Sequence, residues 1–482
     1  MRVLSVASEC VPLVKTGGLA DVAGALPAAL AAQDIRVTTL MPGYPAVMAA
    51  LGEGRALRKV DDLFGGPARL RRGEVAGLDI IALDAPHLYA RPGNPYLGPD
   101  GAEWEDNGIR FAALGAVASL LAAQPPRGLA FDLVHAHDWQ AGLAPAYLRF
   151  APTPRRTPSV FTVHNLAFQG KFPLALFHRL GLPPQALAVE GVEYFGTVGF
   201  LKAGLWYADR ITTVSPTYAA EIRTPEAGMG LDGLLRGRAG AVSGILNGLD
   251  VAQWDPARDA RLAAPFDAAL IGARAANKAA LQARLGLDPD PDALLLGFVG
   301  RLTWQKGVDL ILGALPALLA ERAQLAVLGT GEWGLEEGCR GAALAHPGRV
   351  AAEIGFDEGL ARLVYGGADL VLVPSRFEPC GLAQLCALRY GAVPLVAHVG
   401  GLADSVIDAN EMALAAGCGT GLHFSPVTRE MLEAAIGRAA MLWRDRDAWR
   451  RLQANGMATD VSWTRSAARY AALYRSLVAD AG

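Results

Sequence analysis

The chain lacks what would place it outside a cell, in a bilayer or on a nucleic acid. Its 482 residues include five cysteines, Cys10, Cys339, Cys380, Cys386 and Cys418. An odd, scattered set with no zinc-finger spacing argues against a disulfide framework and against structural zinc. No apolar run reaches the ~20 residues that span a hydrocarbon core. The first residues read as a strand rather than a secretory signal. Charged residues make up only 19% and the formal net charge is −3, so charge gives no case for nucleic acid or an anionic membrane as partner. What remains is a cytoplasmic globular enzyme. With 52% apolar residues it can build large cores, and its length exceeds one ordinary core, so two or three domains are expected.

Of what is there, the run Lys15-Thr16-Gly17-Gly18-Leu19-Ala20-Asp21 stands out. It follows an apolar strand-like run at 3–7 and precedes a segment with apolar residues at helical spacing. Free amides and the positive end of a helix dipole make such a turn an anion site, and glycine lets a ligand approach the backbone. The turn carries neither a dinucleotide fingerprint nor a P-loop, whose lysine follows its glycines. A tight turn that needs small residues is the alternative.

Further strand-like runs at 37–41, 78–83, 133–137, 159–164 and 210–214 alternate with Ala-rich helical segments such as 111–123 and 141–150. That alternation predicts an α/β fold with a mostly parallel sheet, whose ligands bind at the carboxyl ends of the strands. There stand His135-Ala136-His137-Asp138-Trp139 and His164-Asn165-Leu166. Metal ligation would need a set that no other His/Cys cluster completes. His135 and His137 alternate along a strand, and at most one is expected to face a given site. Hydrogen bonding of Asp138, His164 and Asn165 to a polyhydroxylated ligand, with Trp139 packing nearby, is the better use; buried, satisfied imidazoles are the alternative. The irregular stretch 89–107, with Tyr96, Trp104 and several acids, suits a carbohydrate surface.

A boundary is expected after the run ending in Asn247-Gly248-Leu249-Asp250. Residues 273–285 then read as a helix, and Asp288-Pro289-Asp290-Pro291-Asp292 as a solvated turn rather than a metal cluster. A second β-α series has strands at 294–299, 323–328, 370–373 and 393–397, with a helix at 308–319. The first strand ends in Gly300-Arg301-Leu302-Thr303-Trp304-Gln305-Lys306-Gly307. Guanidinium and ammonium five positions apart at a strand end suit a diphosphate; a solvated cationic pair is the alternative. The last strand ends in Gly400-Gly401-Leu402-Ala403-Asp404, letter for letter the turn at 17–21. Two half-chains of one topology suggest two lobes facing across a cleft.

Taken together, KTGGLADV at 15–22, HAHDW at 135–139, FTVHNLAFQG at 161–170, FLKAGLWYAD at 200–209, VSPTYA at 214–219, ILNGLD at 245–250, GRLTWQKG at 300–307, PSRFEPCGL at 374–382 and GGLADSV at 400–406 resemble the starch/glycogen synthase family in its bacterial, ADP-glucose-using branch. The motifs run in family order over nearly the whole chain. The resemblance implies a GT-B fold, two Rossmann-like lobes with parallel sheets facing across a deep cleft. The implied parts are an acceptor-side lobe at 1–243, a nucleotide-sugar lobe at 244–458, and a segment at 459–482 whose helix crosses back to the first lobe. It implies retaining transfer of glucose from ADP-glucose to the non-reducing end of an α-1,4-glucan, by a covalent intermediate or by front-face attack within an ion pair.

By motif, Glu378, Arg301, Lys306 and His164 would be catalytic, the two cations holding the diphosphate as ADP leaves. Lys15, Gly18, Asp138, Asn165, Asn247, Cys380, Gly381, Leu382 and Gly401 would bind the donor. Glu9, Asp21 and Tyr96 would lie toward the acceptor. No metal and no cofactor is expected, ADP-glucose being a substrate, and neither nucleic acid nor membrane is an expected partner. Ala383 and Val399 stand where the family usually has Thr, which predicts weaker donor affinity, and Arg362 stands where His is common. Another two-lobed sugar-nucleotide enzyme, such as an epimerase, fits the paired HDW and HNL clusters less well. A silent glucan-binding scaffold would be expected to have lost Glu378, Lys306 or Lys15.

Overall fold

The computed structural model describes residues 1–153 and 156–481. The chain forms two compact units, one from Met1 to Gly248 together with the segment from Trp463 onward, the other Leu249–Ser462.

The first unit contains β1 (Arg2–Val6), β2 (Arg36–Pro42), β3 (Arg55–Val60), β4 (Ala68–Val75), β5 (Leu78–Asp84), β6 (Leu133–His137), β7 (Ser159–Val163), β8 (Lys171–Pro173), β9 (Glu193–Tyr194), β10 (Thr197–Gly199), β11 (Arg210–Thr213) and β12 (Val242–Gly244). Nine of these form one sheet in the order β12-β11-β7-β6-β1-β2-β5-β4-β3, and β8-β10-β9 form a small second one. Leu4 of β1 lies between Thr38 of β2 and Val134 of β6. The pairs involving β4 are antiparallel. The remaining seven strands are parallel, and their order is third-second-first-fourth onward, the doubly wound arrangement.

The parallel strands read as apolar runs because they are buried on both faces. β3 and β4 were not expected. Their Arg and Lys residues, such as Arg55, Arg58, Lys59, Arg69 and Arg71, mask the pattern, and charge on a sheet edge also blocks pairing with another chain. The expected helix at 141–150 becomes a 3-10 turn, Trp139–Ala141, and a helix Ala144–Phe150.

The second unit holds β13 (Leu295–Val299), β14 (Gln324–Gly329), β15 (Val350–Ile354), β16 (Leu370–Val373), β17 (Val393–Ala397) and β18 (Leu422–Phe424). They pair in parallel in the order β15-β14-β13-β16-β17-β18, again third-second-first-fourth-fifth-sixth. The expected helix at 308–319 is split into Val308–Gly313 and Leu315–Ala320. Pro316 has no N–H to continue the first piece and suits the opening turn of the second.

In both units the order reverses between the first and fourth parallel strands, β1/β6 and β13/β16. The loops that leave those strands flank the crevice in which such sheets hold ligands.

The helix Thr464–Ala481 packs into the first unit. Tyr470, Ala471, Tyr474 and Leu477 line one face and meet Val22, Leu26 and Leu30 of the helix Gly18–Ala31. Leu477, Val22, Leu26 and Leu30 each contribute about 1.5–3 kcal/mol by leaving water. Among the described residues no helix is long and apolar enough to cross a membrane.

Candidate active site

In the second unit, the loops after β13 and β16 are fastened to one another. Gly307 has φ +71°, and a Cβ there would collide with the Pro374 carbonyl. Arg376 forks onto Asp309, two bonds of 2.7 Å, and donates to the Trp304 carbonyl while lying over the Trp304 ring. The Gln305 amide side chain donates to the Phe377 carbonyl at 3.1 Å. This lacing presents Lys306 to Glu378. Their ion pair is 2.5 Å, with the carboxylate side chain 8% exposed. Ser375 Oγ donates to the same Glu378 oxygen at 2.8 Å.

Arg301 is exposed, and among the described residues its guanidinium has no ion-pair partner. One oxygen of Glu378 is thus held by a cation and a hydroxyl. A second cation stands free five positions along the same loop.

The loops after β16 and β17 are joined the same way. The Gly401 amide donates to the Glu378 carbonyl at 3.0 Å, and a Cβ on Gly401 would strike Cys380. Gly381 has φ +74°, and Gln384 Nε2 donates to the carbonyls of Cys380 and Gly381. Cys380 is buried; Leu382, Ala383 and Val399 are half-buried, packed against the unit's core. Where the family carries hydroxyls, positions 383 and 399 therefore add apolar packing. Arg362 is fully buried, paired with Asp259 and Glu358 and stacked over Trp254, a structural role far from solvent.

Residues 329–334, Gly-Thr-Gly-Glu-Trp-Gly, have the spacing of a dinucleotide fingerprint, but they follow β14, the second strand, instead of the first. Their first two glycines have an internal reason. A Cβ on Gly329 or Gly331 would strike the Gly300 or Leu302 carbonyl.

In the first unit, Glu9 organises the loop after β1. Its buried carboxylate accepts from the Thr16 amide, from Thr16 Oγ1 at 2.6 Å, from the Gly17 amide at 3.2 Å and from the Tyr96 hydroxyl. Ser8 Oγ lies 2.8 Å from that hydroxyl. Glu9 and Tyr96 thus spend their polar groups on each other and on the turn. Lys15 reaches Asp21 at 2.8 Å in a half-exposed pair, and burial raises the Asp21 carboxyl above its ordinary range despite that cation. Gly17 and Gly18 face open space: no atom would meet a Cβ on either within 4 Å.

Asp138 follows β6 with φ 54° and ψ −176°, a region costly for any residue but glycine. Its Oδ1 accepts from the His164 amide at 2.7 Å. Burial lifts its carboxyl to about 7, against the pull of the His164 and Asn165 amides.

His137 Nδ1 and His164 Nε2 are 3.0 Å apart, and burial holds both imidazoles neutral, His137 lowered to about 3. The expectation that His135 and His137 could not share a site is overturned. Residues two apart on a strand point the same way, and the two rings stand 4.0 Å apart. His135 is nevertheless structural, held by Thr162 Oγ1 and by Tyr474 Oη at 2.7 Å.

Asn165 Oδ1 caps its own turn through the Ala167 amide. Asn247 Oδ1 is buried without a hydrogen-bond partner, which marks it for an external donor. Trp139 packs edge-on to Phe111 at 5.0 Å. Among the described residues no group of three or more His, Cys, Asp or Glu side chains is arranged to hold a metal ion.

The structure therefore places Glu9, Lys15, Tyr96, Asp138, His164, Asn165 and Asn247 on loops of one unit, and Gly18 and Asp21 in the first turn of its helix Gly18–Ala31. It gathers Arg301, Lys306, Glu378, Cys380, Gly381, Leu382 and Gly401 in the other. Arg376 and Asp309 had no signal in the sequence because 67 positions separate them, and Ser375 and Thr16 because a lone hydroxyl three or seven positions from its carboxylate partner makes no recognisable pattern.

Comparison with known proteins covers the whole chain. Residues 2–237 match the family model of the starch synthase catalytic domain, and residues 283–454 that of glycosyl transferases group 1. The glycogen synthase of Rhodopseudomonas palustris is 60% identical over 480 residues, covering 100% of this chain and 99% of that protein. That of Methylocella silvestris is 61% identical over 478 residues, 99% of each. Among solved structures, the catalytic domain of starch synthase IV from Arabidopsis thaliana, bound to ADP and acarbose, superposes with a TM-score of 0.87 at 30% identity over 99% of both chains. A sucrose-phosphate synthase from Thermosynechococcus elongatus shares the fold, with a TM-score of 0.60 at 20% identity.

Proposed function

Because the chain belongs to the starch and glycogen synthase family and is a glycosyltransferase, we propose that it moves glucose from ADP-glucose to the non-reducing end of an α-1,4-glucan, with retention at the anomeric carbon. The observation that carries this reading is the Lys306–Glu378 pair beside the unpaired Arg301, at the strand-order reversal of the second unit.

As the glycosidic C–O bond to the diphosphate breaks, negative charge grows on the leaving oxygen and positive charge on the sugar ring. Arg301 and Lys306 stabilise the first, and Lys306 is in place before the reaction starts because the lacing of its loop and its pair with Glu378 hold it. Glu378, held at one oxygen by Lys306 and Ser375, offers its other oxygen to the donor glucose. Lys15 and the Gly18 amide are the first unit's contacts to the donor. Neutral His164, with Asp138, Asn165 and Asn247, hydrogen-bonds sugar hydroxyls, and the loop organised by Glu9, Asp21 and Tyr96 bounds the acceptor. The two cations take the place of a divalent ion. The enzyme works in the cytoplasm, without nucleic acid or membrane.

The test is incorporation of radiolabelled glucose into glycogen from ADP-glucose and from UDP-glucose, with and without excess EDTA. ADP-glucose is the expected donor, and EDTA is expected to leave the rate intact. Incorporation from UDP-glucose alone would overturn the donor, and a requirement for added Mg²⁺ would overturn the cation-pair account.

A further inference from the structure

Two pairs of histidines among the described residues bring ring nitrogens within hydrogen-bonding distance. His137 and His164 are buried in the first unit. The other pair, His398 and His423, belongs to the second unit, and there His398 is exposed and His423 half-buried.

Strand pairing brings this second pair together. In the parallel pair of β17 and β18, Val396 lies opposite His423. His398 is two residues beyond Val396, and residues two apart on a strand point the same way. The His398 amide continues the ladder by donating to the Phe424 carbonyl at 3.0 Å. Both imidazoles come to one face at the carboxyl ends of neighbouring strands. Their Nδ1 atoms are 2.7 Å apart, with ring centroids at 4.9 Å and planes 52° apart.

Two neutral imidazoles share a single proton across that gap. The gap is also close to the spacing a metal ion imposes. With bonds of about 2.0–2.1 Å, two imidazole nitrogens at right angles on one ion stand about 2.9 Å apart. The exposed His398 ring has room for that small shift, and water reaches the remaining coordination positions. His423 Nε2 is buried, which leaves Nδ1 as the nitrogen that faces a ligand. Burial and the neighbouring His398 lower the His423 imidazole to about 4, and the neutral ring is the form that binds metal. The charges nearby balance: Asp408 accepts from the His423 amide at 2.7 Å and is paired with Arg438.

We propose that His398 and His423 hold a divalent transition-metal ion through their Nδ1 atoms, in a two-imidazole site that ties the ends of β17 and β18 together. Imidazole suits Zn²⁺, Ni²⁺ and Cu²⁺; the right-angle arrangement is that of tetragonal Ni²⁺ or Cu²⁺, and Cu²⁺ binds tightest of the series. Among the described residues no third His, Cys, Asp or Glu joins the pair, so water fills the other positions. Neither histidine is among the groups proposed for glucose transfer, and the site is independent of that reading. It is a neighbour of it all the same. His398 leads directly into Val399-Gly400-Gly401, the turn whose Gly401 amide holds the Glu378 carbonyl.

The probe is Cu²⁺, added anaerobically at one equivalent to the full chain carrying Cys418→Ser, which removes the one exposed thiol among the described residues. Affinity is read by calorimetry and the ligands by nitrogen splitting in the electron paramagnetic resonance spectrum, with melting temperature alongside. One ion per chain with two imidazole nitrogens is expected. His398→Gln and His423→Gln are each expected to weaken binding at least about tenfold, because the remaining nitrogen then binds alone. His178→Gln, at an exposed imidazole elsewhere, is expected to leave it unchanged. Because the His398 side chain is exposed, the metal-free melting temperature of His398→Gln is expected to match its parent, which tells loss of the site from loss of the fold. A one-nitrogen signal, or an affinity unmoved by His398→Gln, would reduce the pair to a hydrogen bond and overturn the metal site. An equal loss in His178→Gln would place the ion elsewhere and overturn it too.

Discussion

The turns at 17–21 and 400–404 spell the same five residues and hold them for different reasons. Gly400 sits at φ 41°, and a Cβ on Gly401 would run into Cys380, so the fold itself requires those glycines. Gly17 and Gly18 have ordinary φ, and nothing within 4 Å would meet a Cβ on either. The residues before the turns differ as well. Thr16 spends its amide and hydroxyl on Glu9, whereas Val399 packs against the core and leaves its helix without a side-chain cap. The second turn is internal machinery that supports Glu378, whose carbonyl the Gly401 amide holds. The glycines of the first have no such internal reason, which accords with the donor contact proposed for Gly18. Identity of letters does not establish identity of cause; the surroundings of the missing Cβ do.

The hardest blow to this contrast comes through Glu378, the side chain that the second turn supports. Glu378→Ala leaves Lys306 without its partner and the donor sugar without a carboxylate, and kcat is expected to fall about a thousandfold. Undiminished transfer in the radiolabel assay would strip the second turn of its purpose.

Next in size is a matched pair. Gly401→Ala forces a Cβ against Cys380 and is expected to cost on the order of 2–3 kcal/mol in urea unfolding. Gly18→Ala meets no atom and is expected to change stability by less than about 1 kcal/mol, in either direction, while raising the KM for ADP-glucose about tenfold. Equal destabilisation by the two variants would erase the difference between the turns.

Much of this contrast is out of reach of the sequence, and the reasons are physical. β13, β16 and β17 were legible to within a residue because both faces are buried and the apolar run is the whole strand. β8, β9 and β10, of three, two and three residues, are too short to show a period. Lys306 could be singled out by residue type at a strand end, and Glu378 only through the family motif in which it stands. The organising role of Glu9 could not, since its partners lie 7, 8 and 87 positions away. The misjudged pair His135 and His137 shows that a period of two puts alternate residues on the same face.

A smaller effect separates the acids at the two strand-order reversals. Glu378 has Lys306, whereas among the described residues Asp138 has no ion-pair partner. Burial raises the folded Asp138 carboxyl from 3.8 to about 7. Between those values the folded chain binds the proton more tightly than the unfolded one, so stability falls as pH rises through that window and the penalty is complete above it. Asp138→Asn keeps an acceptor for the His164 amide and removes the titration. Relative to wild type it is expected to gain on the order of 2 kcal/mol between pH 5 and pH 8 in urea melts. A difference that does not change with pH would mean that Asp138 is charged throughout, and that the first unit carries no such cost.

The finest test turns one preceding residue into the other. Val399→Thr gives the second turn the residue that precedes the first, with nearly the same volume. As N-cap of the helix Gly400–Ser405, which now has no side-chain cap, a threonine hydroxyl competes for first-turn amides that already have acceptors, Gly401 on the Glu378 carbonyl and Leu402 on the Val399 carbonyl, so it adds less than the usual cap contribution of about 0.5–1 kcal/mol. Against this stands the loss of a buried methyl from the packing of Val399, so the net change in stability is expected to stay below about 1 kcal/mol. The informative reading is the donor. A hydroxyl beside the Gly401 amide adds one hydrogen bond, from a neutral and partly solvated donor, to a bound diphosphate, worth a fall of about threefold to tenfold in the KM for ADP-glucose. The same change in KM for a short glucan acceptor would place the hydroxyl's effect elsewhere. A lowered KM for the donor alone would mean that position 399 tunes a donor site whose backbone was already complete. The second turn would then differ from the first in having been built for the fold and fitted to the ligand afterwards.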